Sequence, residues 1–349
     1  NIEGGDGSDR IDYTNYTSAI TVDLSNRTAT GLSGTFDSIE AITGSANSAT
    51  IRGTTGNDQF QTDGNGNGSV QGLIDFVSVE YLDGNLGGDR LIGTAGANDW
   101  TINGNNSGLL NSNTFVNFDN LEGGSGANVF TFESGGAIAG TLTGNTDNDT
   151  IDYSAFNAPV IISLETMQTS GVNRFSNIEN IIGSANNDTL QGTAGNDGFA
   201  ITGDRTGTAN STLSFSSIET LNGSAGVNEF DLENLTVASG MTLIGGSNLA
   251  NGQSTNRIRT NGNTTAWQIN GQNSGNLNQS GTLLAVFEQI QHLDNSSATG
   301  GTVEVSFENA TATVSGSIDS GNNNLTLTGN DINIGEDDGT GNLQGGIIA

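Results

Sequence analysis

The 349-residue chain contains no cysteine and no lysine, since its eight basic residues are all arginine. Without cysteine, no disulfide can hold the fold, and the redox compartment cannot be read from the sequence. The single histidine, His292, nearly excludes zinc sites and histidine-based catalytic triads. The single proline excludes collagen and proline-rich linkers. No apolar run approaches the roughly 20 residues of a membrane-spanning helix.

Acidic residues dominate the charge: 38 Asp and Glu give a formal net charge of −30. Nucleic acids and anionic membranes are therefore excluded as expected partners, because both require basic patches. Only 32% of the residues are hydrophobic and 53 are glycine. Such a chain cannot bury a thick globular core. It can bury a thin one if each short strand turns one apolar side chain inward and glycines form the turns.

One motif, F-x-x-[IVF]-[EDQ]-x-[IL], recurs along the chain. It begins at six phenylalanines: Phe36, Phe76, Phe115, Phe175, Phe215 and Phe287. Three of the intervals are about 40 residues, and the two longer ones contain an insertion of about half a module or more. We interpret each copy, such as Phe175 to Gly183, as one short strand closed by a glycine. Self-similarity at a fixed period of this size indicates a solenoid or array.

A finer period lies inside each module. Apolar anchors such as Ile42, Ile51 and Phe60 follow one another at about nine residues, which fits a short strand plus a turn. No helical periodicity persists. The sequence therefore predicts an all-β, right-handed parallel β-solenoid, β-roll-like or β-helix-like, built from ~40-residue modules. Coils of two strands (~18–20 residues) and coils of three strands both fit the pattern.

The repeats cover residues 1–295, and we expect 296–349 to form divergent strands and an acidic tail that continue the solenoid or form an assembly end. Strands are expected at 303–307, 312–314 and 325–327. The first residues, Asn1 to Gly5, look like the interior of a repeat. We therefore expect a processed product or a piece of a longer protein.

The turn from Gly4 to Asp12 fits the pattern G-G-x-G-x-D-x-U-x at every position. Nonapeptide units recur in tandem at 183–191 and 192–200. In this pattern glycines allow the tight turn, while carbonyl and carboxylate oxygens form a cage suited to Ca²⁺. The chain thus resembles the RTX-like, hemolysin-type calcium-binding repeats of giant bacterial surface and adhesin proteins, best over 1–61 and 140–230. The resemblance implies an extracellular, calcium-associated β-solenoid that serves adhesion or surface structure.

The expected calcium ligands are aspartates of the best-matching turns: Asp6, Asp9, Asp147, Asp149, Asp188 and Asp197. Other copies depart from the pattern, since Asn128 and Asn228 stand where a ligand is expected. A purely structural interpretation therefore remains open, in which Asp and Asn shape turns and accept backbone N–H groups. The acidic position of the strand motif (Glu40, Glu80, Glu179, Glu219) is expected to be structural, because a catalytic carboxylate pair would not recur in every module.

Three functions fit the sequence. The first is an extracellular structural solenoid, rod-like, that assembles head to tail into a filament or surface layer, alone or with other cell-surface components. The second is a stalk or ligand-binding segment of a calcium-dependent adhesin, with glycans as candidate ligands. The third is a polysaccharide-acting enzyme, which the composition disfavours: Arg257 and Arg259 are the only close arginine pair, and Trp100 and Trp267 are expected to pack inward.

Overall fold

Every regular element in the described part of the chain is a β-strand. The computed structural model describes residues 1–233, 235, 240–246, 256–261, 264–295, 301–321 and 323–329. The chain is an all-β parallel β-solenoid, which confirms the predicted fold class. It divides into two compact units: unit 1 comprises Asn1–Ala158 and Met167–Ala185, and unit 2 comprises Pro159–Thr166 and Asn186–Ala349. No helix among the described residues is long and apolar enough to cross a membrane.

Unit 1 consists of short strands separated by turns. Their bounds are β1 Ile2–Glu3, β2 Arg10–Asp12, β3 Ile20–Asp23, β4 Thr28–Ala29, β5 Phe36–Asp37, β6 Ala41–Thr43, β7 Ala49–Arg52, β8 Gln59–Thr62, β9 Gly68–Val70, β10 Ile74–Val77, β11 Tyr81–Asp83, β12 Arg90–Gly93, β13 Asp99–Gly104, β14 Ser107–Leu110, β15 Asn113–Val116, β16 Asn120–Glu122, β17 Val129–Phe132, β18 Ile138–Thr143, β19 Thr150–Asp152, β21 Gln168–Thr169, β22 Val172–Ser176 and β23 Asn180–Ile182.

Unit 2 repeats the same style of strand and turn. Its described strands are β20 Ile161–Ser163, β24 Thr189–Gln191, β25 Gly198–Gly203, β26 Thr206–Ala209, β27 Leu213–Ser216, β28 Thr220–Asn222, β29 Glu229–Asp231, β30 Met241–Ile244, β31 Arg257–Arg259, β32 Thr264–Gly271, β33 Ser274–Gln279, β34 Thr282–Glu288, β35 His292–Asp294, β36 Thr302–Phe307, β37 Ile318–Asp319 and β38 Asn324–Thr328.

β1 and β5 form a separate two-stranded sheet. Apart from antiparallel runs of neighbouring strands, the other strands alternate between two sheets along the chain, so a coil contains two strands. In unit 1, β2, β6, β12, β16 and β18 belong to one sheet, while β3, β7, β11, β17 and β19 belong to the other. Where no extra strands intervene, neighbours in a sheet are one coil apart: Leu121 pairs with Leu142 and Val129 with Thr150, all in parallel. This coil of about 20 residues decides between the two coil sizes left open by the sequence.

Antiparallel meanders interrupt the parallel stacking. In each meander the chain runs forward, back and forward again within one sheet before it crosses to the other. The complete meanders are β8–β9–β10, β13–β14–β15, β25–β26–β27 and β32–β33–β34. The two longer intervals of the strand motif each contain one additional two-strand coil, β18 with β19 and β30 with β31. A module is therefore one meander plus the strands that follow it.

The prediction that each F-x-x-[IVF]-[EDQ]-x-[IL] motif forms a single strand is wrong. Phe175 lies in β22, which ends at Ser176, and Ile181 lies in β23 of the opposite sheet. Between them, Asn177 has a left-handed backbone with φ of 52°. The third motif residue has a positive φ in all six copies: Ser38, Ser78, Asn117, Asn177, Ser217 and Gln289. The motif is therefore a corner, and its polar third residue fits because side chains such as Asn tolerate that conformation.

The core between the sheets is thin and rich in aromatic rings. Trp100 is 1% exposed and stacks on Phe130 with ring centroids 5.5 Å apart. Tyr153 is fully buried, and its hydroxyl donates to the carbonyl oxygen of Ser170 at 2.8 Å. Trp267 is also 1% exposed, so the predicted inward packing of both tryptophans is confirmed. Burying such rings supplies hydrophobic stabilisation that the few aliphatic residues of each strand cannot supply alone.

Strands continue beyond residue 295. β36 pairs in parallel with β32, β38 pairs with β36, and β37 pairs with β35. Two of the predicted strands, 303–307 and 325–327, lie within β36 and β38, and Thr313 forms an isolated bridge with Gln272. The predicted acidic tail from Asp331 onward lies outside the described residues.

Candidate functional site

The six candidate aspartates lie in four turns, each of which precedes a strand. Asp6 and Asp9 precede β2, Asp147 and Asp149 precede β19, Asp188 precedes β24, and Asp197 precedes β25. Asp6 and Asp147 are exposed, Asp9 is half-buried, and the other three are buried. Within the described ranges, no three Asp, Glu or His side chains converge in a way that could hold a metal ion.

The buried aspartates point inward and join neighbouring coils. Asp149 Oδ1 accepts the backbone N–H of Asn128 at 2.7 Å and its side-chain Nδ2 at 2.9 Å. Asp188 Oδ1 accepts the N–H of Val160 at 2.6 Å. These bonds satisfy buried backbone donors, whose loss would be costly in a core without water.

Asparagine side chains at the same position also accept a backbone N–H from the preceding coil. In unit 1, Asn98 N–H donates to Asn128 Oδ1 at 3.0 Å, Asn128 N–H donates to Asp149 Oδ1, and Asp149 N–H donates to Glu179 Oε2 at 2.9 Å. We call this series the unit 1 ladder: Asn98, Asn128, Asp149 and Glu179. Each rung connects one coil to the next.

Unit 2 contains a matching series. Asp197 N–H donates to Asn228 Oδ1 at 2.9 Å, Asn228 N–H donates to Asn256 Oδ1 at 2.8 Å, and Asn256 N–H donates to Gln291 Oε1 at 3.2 Å. Asn128 and Asn228, which depart from the calcium pattern, are therefore rungs of these ladders. The recurrence of Asp or Asn five residues after a glycine was the sequence signal for them.

The acidic position of the corner motif supplies further rungs. Glu40 Oε2 accepts the N–H of Asp9 at 2.9 Å across 31 residues, and Glu80 Oε2 accepts the N–H of Ala49 at 2.7 Å. Asp119 is shorter by one methylene and instead accepts Nδ2 of Asn106 at 2.6 Å. The expected structural role of Glu40 and Glu80 is thus visible as bonds between coils.

The glycine that opens each turn is required for space. A Cβ added to Gly144 would lie 2.0 Å from the carbonyl oxygen of Asn177 and 2.5 Å from Asp149 Oδ2. Gly84 has the same surroundings, with the Asn117 carbonyl oxygen at 2.3 Å and Asp89 Oδ2 at 2.8 Å. Neither glycine has a positive φ. The pairing of a glycine with Asp or Asn five residues later therefore reflects close approach of two coils at the corner.

Two of the candidate calcium ligands keep one carboxylate oxygen without a donor. Asp9 Oδ2 and Asp149 Oδ2 are buried and have no hydrogen-bond partner among the described residues. Burial raises the pKa of Asp149, and the nearby Glu179 and Asp147 act in the same direction, whereas hydrogen bonds from Asn128 oppose it. A cation would compensate these oxygens, so Asp9 and Asp149 fit Ca²⁺ better than the other candidates do.

Three of the remaining candidates, Asp147, Asp188 and Asp197, are engaged by donors, and Asp6 is exposed. Asp197 Oδ2 accepts the N–H of Thr193 at 2.8 Å, and its Oδ1 accepts Nδ2 of Asn210 at 2.8 Å. Asp147 Oδ2 accepts the N–H of Gly126 at 2.9 Å. A metal ion at either carboxylate would have to displace these bonds. Calcium binding stays a prediction.

The arginine pair lies on the outer face of unit 2 in cross-strand ion pairs. Arg259 contacts Glu233 at 2.8 Å and Glu229 at 3.2 Å, and Arg257 contacts Asp294 at 3.7 Å. Such exposed pairs contribute little stability individually, but their placement between acidic strands relieves repulsion across the coils.

A scan of the chain against protein-family models found no matching family, and a search of the curated proteins found no similar protein. The resemblance to RTX-like repeats therefore stays a prediction.

Proposed function

We propose that this chain is an extracellular structural β-solenoid that assembles head to tail with further copies into a filament or surface layer. The extracellular location follows from the resemblance to bacterial surface repeats. The assembly follows from the use of the recurring residues: Glu40, Glu80, Asn128 and Asn228 each bond one coil to the next. Repeated polar positions that join each coil to the next suit a chain to which further coils can be added.

The observation that carries the proposal is the strand edge of β1 and β2 in the first coil. Elsewhere a side chain of one coil accepts a backbone N–H from the preceding coil, as Asn128 does from Asn98. The structure pairs β2 with β6 and β1 with β5, in each case on one side. A parallel strand of another coil therefore fits this edge.

The proposal commits to a second copy of the chain as the source of that coil. Sedimentation and electron microscopy of the full chain, at increasing concentration with and without Ca²⁺, test it. Ile2 in β1 is 41% exposed, so Ile2→Lys should fold and should weaken edge pairing by placing a charge there. Leu86→Lys is the matched control, because Leu86 is 64% exposed and lies in a turn away from β1 and β2.

We expect oligomers of the unaltered chain and of Leu86→Lys, and a reduced oligomer fraction for Ile2→Lys. Dispersed monomers of the unaltered chain at every concentration would contradict self-assembly. The adhesin alternative, a stalk or ligand-binding segment, predicts that outcome together with binding on a glycan array.

A further inference from the structure

Asp89 is a buried carboxyl group with one oxygen that faces no donor. It precedes β12 in unit 1 and is 0% exposed. Its Oδ1 accepts the backbone N–H of Asp58 at 2.7 Å and so forms a rung between coils. Its Oδ2 is buried and has no hydrogen-bond partner among the described residues. Leaving a charged oxygen unpaired in such a place is expensive.

Asparagine occupies the equivalent position in other coils, with its amide nitrogen where Asp89 has Oδ2. Asn98 Nδ2 donates to the carbonyl oxygens of Gly123 at 2.9 Å and Gly96 at 3.0 Å. Asn228 Nδ2 likewise donates to carbonyl oxygens, including that of Gly245 at 2.8 Å. Backbone carbonyl oxygens therefore line this corner of the turn, and a hydrogen-bond donor is favoured there.

Distances from the glycines that open the two turns show that Asp89 Oδ2 and Asn98 Nδ2 lie at equivalent places. A Cβ on Gly93 would lie 2.8 Å from Asn98 Nδ2 and 2.5 Å from a carbonyl oxygen of the next coil. A Cβ on Gly84 would lie 2.8 Å from Asp89 Oδ2 and 2.3 Å from the carbonyl oxygen of Asn117. Asp89 Oδ2 thus lies beside a backbone acceptor, where Asn98 places N–H.

Asp58, at the same position, has donors for both of its carboxylate oxygens. Its Oδ2 accepts the N–H of Thr54 at 2.6 Å and the Thr54 hydroxyl at 3.0 Å, and its Oδ1 lies 3.1 Å from the same hydroxyl. Asp89 has no such threonine, because Asn85 stands at the corresponding place and has a positive φ of 75°. Asp58 and Asp89 thus occupy equivalent positions in successive coils. Both oxygens of Asp58 have donors, whereas Oδ2 of Asp89 has none among the described residues.

The charged groups that face Asp89 are acidic. They are Asp58 before β8, Asp119 before β16 and Asp83 at the end of β11. The neighbouring Arg90 directs its guanidinium outward to Glu122 at 3.1 Å. Burial, as the largest cause, and then these carboxylates raise the pKa of Asp89 to about 6, against the opposing hydrogen bond from Asp58.

We propose that Asp89 carries a proton in the folded protein at mildly acidic pH and that Oδ2–H donates to a backbone carbonyl oxygen at this corner. The contact between coils at this corner of unit 1 is consequently stronger at mildly acidic pH than at neutral pH. The proton allows Asp89 to donate a hydrogen bond to a backbone carbonyl oxygen, as the side-chain amide of Asn98 does. Loss of the proton leaves a carboxylate oxygen against acceptors, so the contact weakens as the pH rises.

The direction of the pH dependence follows from linkage. The folded-state pKa of Asp89 lies above the ordinary value of 3.8, so the folded chain binds more protons than the unfolded chain between about pH 4 and pH 6. The contribution of Asp89 to stability is therefore greatest below that window and falls as the pH rises through it.

The test compares Asp89→Asn with Asp58→Asn in the full chain by chemical denaturation at pH 4 and pH 7.5. Asp89→Asn replaces the unpaired oxygen with a donor, so we expect the folding equilibrium constant to rise about 10- to 100-fold at pH 7.5 and to change less than about threefold at pH 4. Asp58→Asn puts a donor against the Thr54 N–H and should lower stability at pH 7.5.

A direct measurement keeps the proposal testable even if a variant fails to fold. The carboxyl carbon of Asp89 in the unaltered chain, followed by NMR, should titrate near pH 6. Titration near pH 4, or a pH 7.5 stability of Asp89→Asn equal to or below that of the unaltered chain, would overturn the proposal.

Discussion

Replacing Asn128 with alanine should lower the folding stability of unit 1 more than the substitution of any single exposed side chain. Asn128 is 0% exposed, and its Oδ1 accepts the Asn98 N–H at 3.0 Å while its Nδ2 donates to the carbonyl oxygen of Gly126 at 2.7 Å. Alanine would leave the buried Asn98 N–H and the half-buried Gly126 carbonyl oxygen without these hydrogen bonds. Each unsatisfied group costs about 1–3 kcal/mol, so a total of about 2–4 kcal/mol is expected after partial relaxation.

The assay is chemical denaturation of the full chain, with hydrogen exchange to locate the loss in unit 1. Asn103→Ala is the control, because Asn103 is exposed on β13, and its substitution should change stability by no more than about 0.5 kcal/mol. The specific expectation is faster exchange of the Asn98 amide in Asn128→Ala. An unchanged Asn98 exchange rate, or equal stability of the two variants, would refute the ladder argument.

Three further predictions follow from the same contacts. Gly144→Ala should cost several kcal/mol, because its Cβ would lie 2.0 Å from a carbonyl oxygen of the next coil, whereas Gly198→Ala, with nothing within 4 Å, should be nearly neutral in the same denaturation assay. Glu80→Gln keeps an acceptor for the buried Ala49 N–H and should be tolerated, while Glu80→Ala should cost about 1–3 kcal/mol. If millimolar Ca²⁺ raises the melting temperature, as the calcium prediction expects, Asp9→Asn should reduce that shift; no heat and no shift in a calorimetric titration would contradict calcium binding.

The architecture could be predicted from the sequence because it depends on regular spacing. Apolar residues such as Ile42 and Ile51 mark one strand in each sheet, and their separation fits one strand plus one turn. The number of strands in a coil was left open by this spacing and is decided by the strand pairing. The meanders were not predicted. Their signal was present in the related segments after Trp100 and Trp267, where Asn and Gly occupy a hairpin turn. Parallel and antiparallel neighbours, however, share the same alternation along a strand.

The candidate site was harder to predict for a physical reason. An aspartate at the sixth position of a glycine-rich turn can point outward to a cation or inward to a backbone N–H, and both choices conserve the same spacing. Asp149 and Asp188 point inward, which only the stacking of coils determines. Asparagine at positions 128 and 228 indicated a neutral hydrogen-bonding role, since an amide serves a ladder as well as a carboxylate does.

Hydrogen exchange across the full chain tests the central claim most directly, namely that the repeated polar positions join successive coils. The backbone amides of Asp58, Asn98, Asn128, Asp149 and Asp197 stand where turns meet strands, and each donates to a side chain of the next coil. The account predicts that they exchange as slowly as the amides of the adjoining strands. Exchange at the rate of exposed turn amides would contradict it.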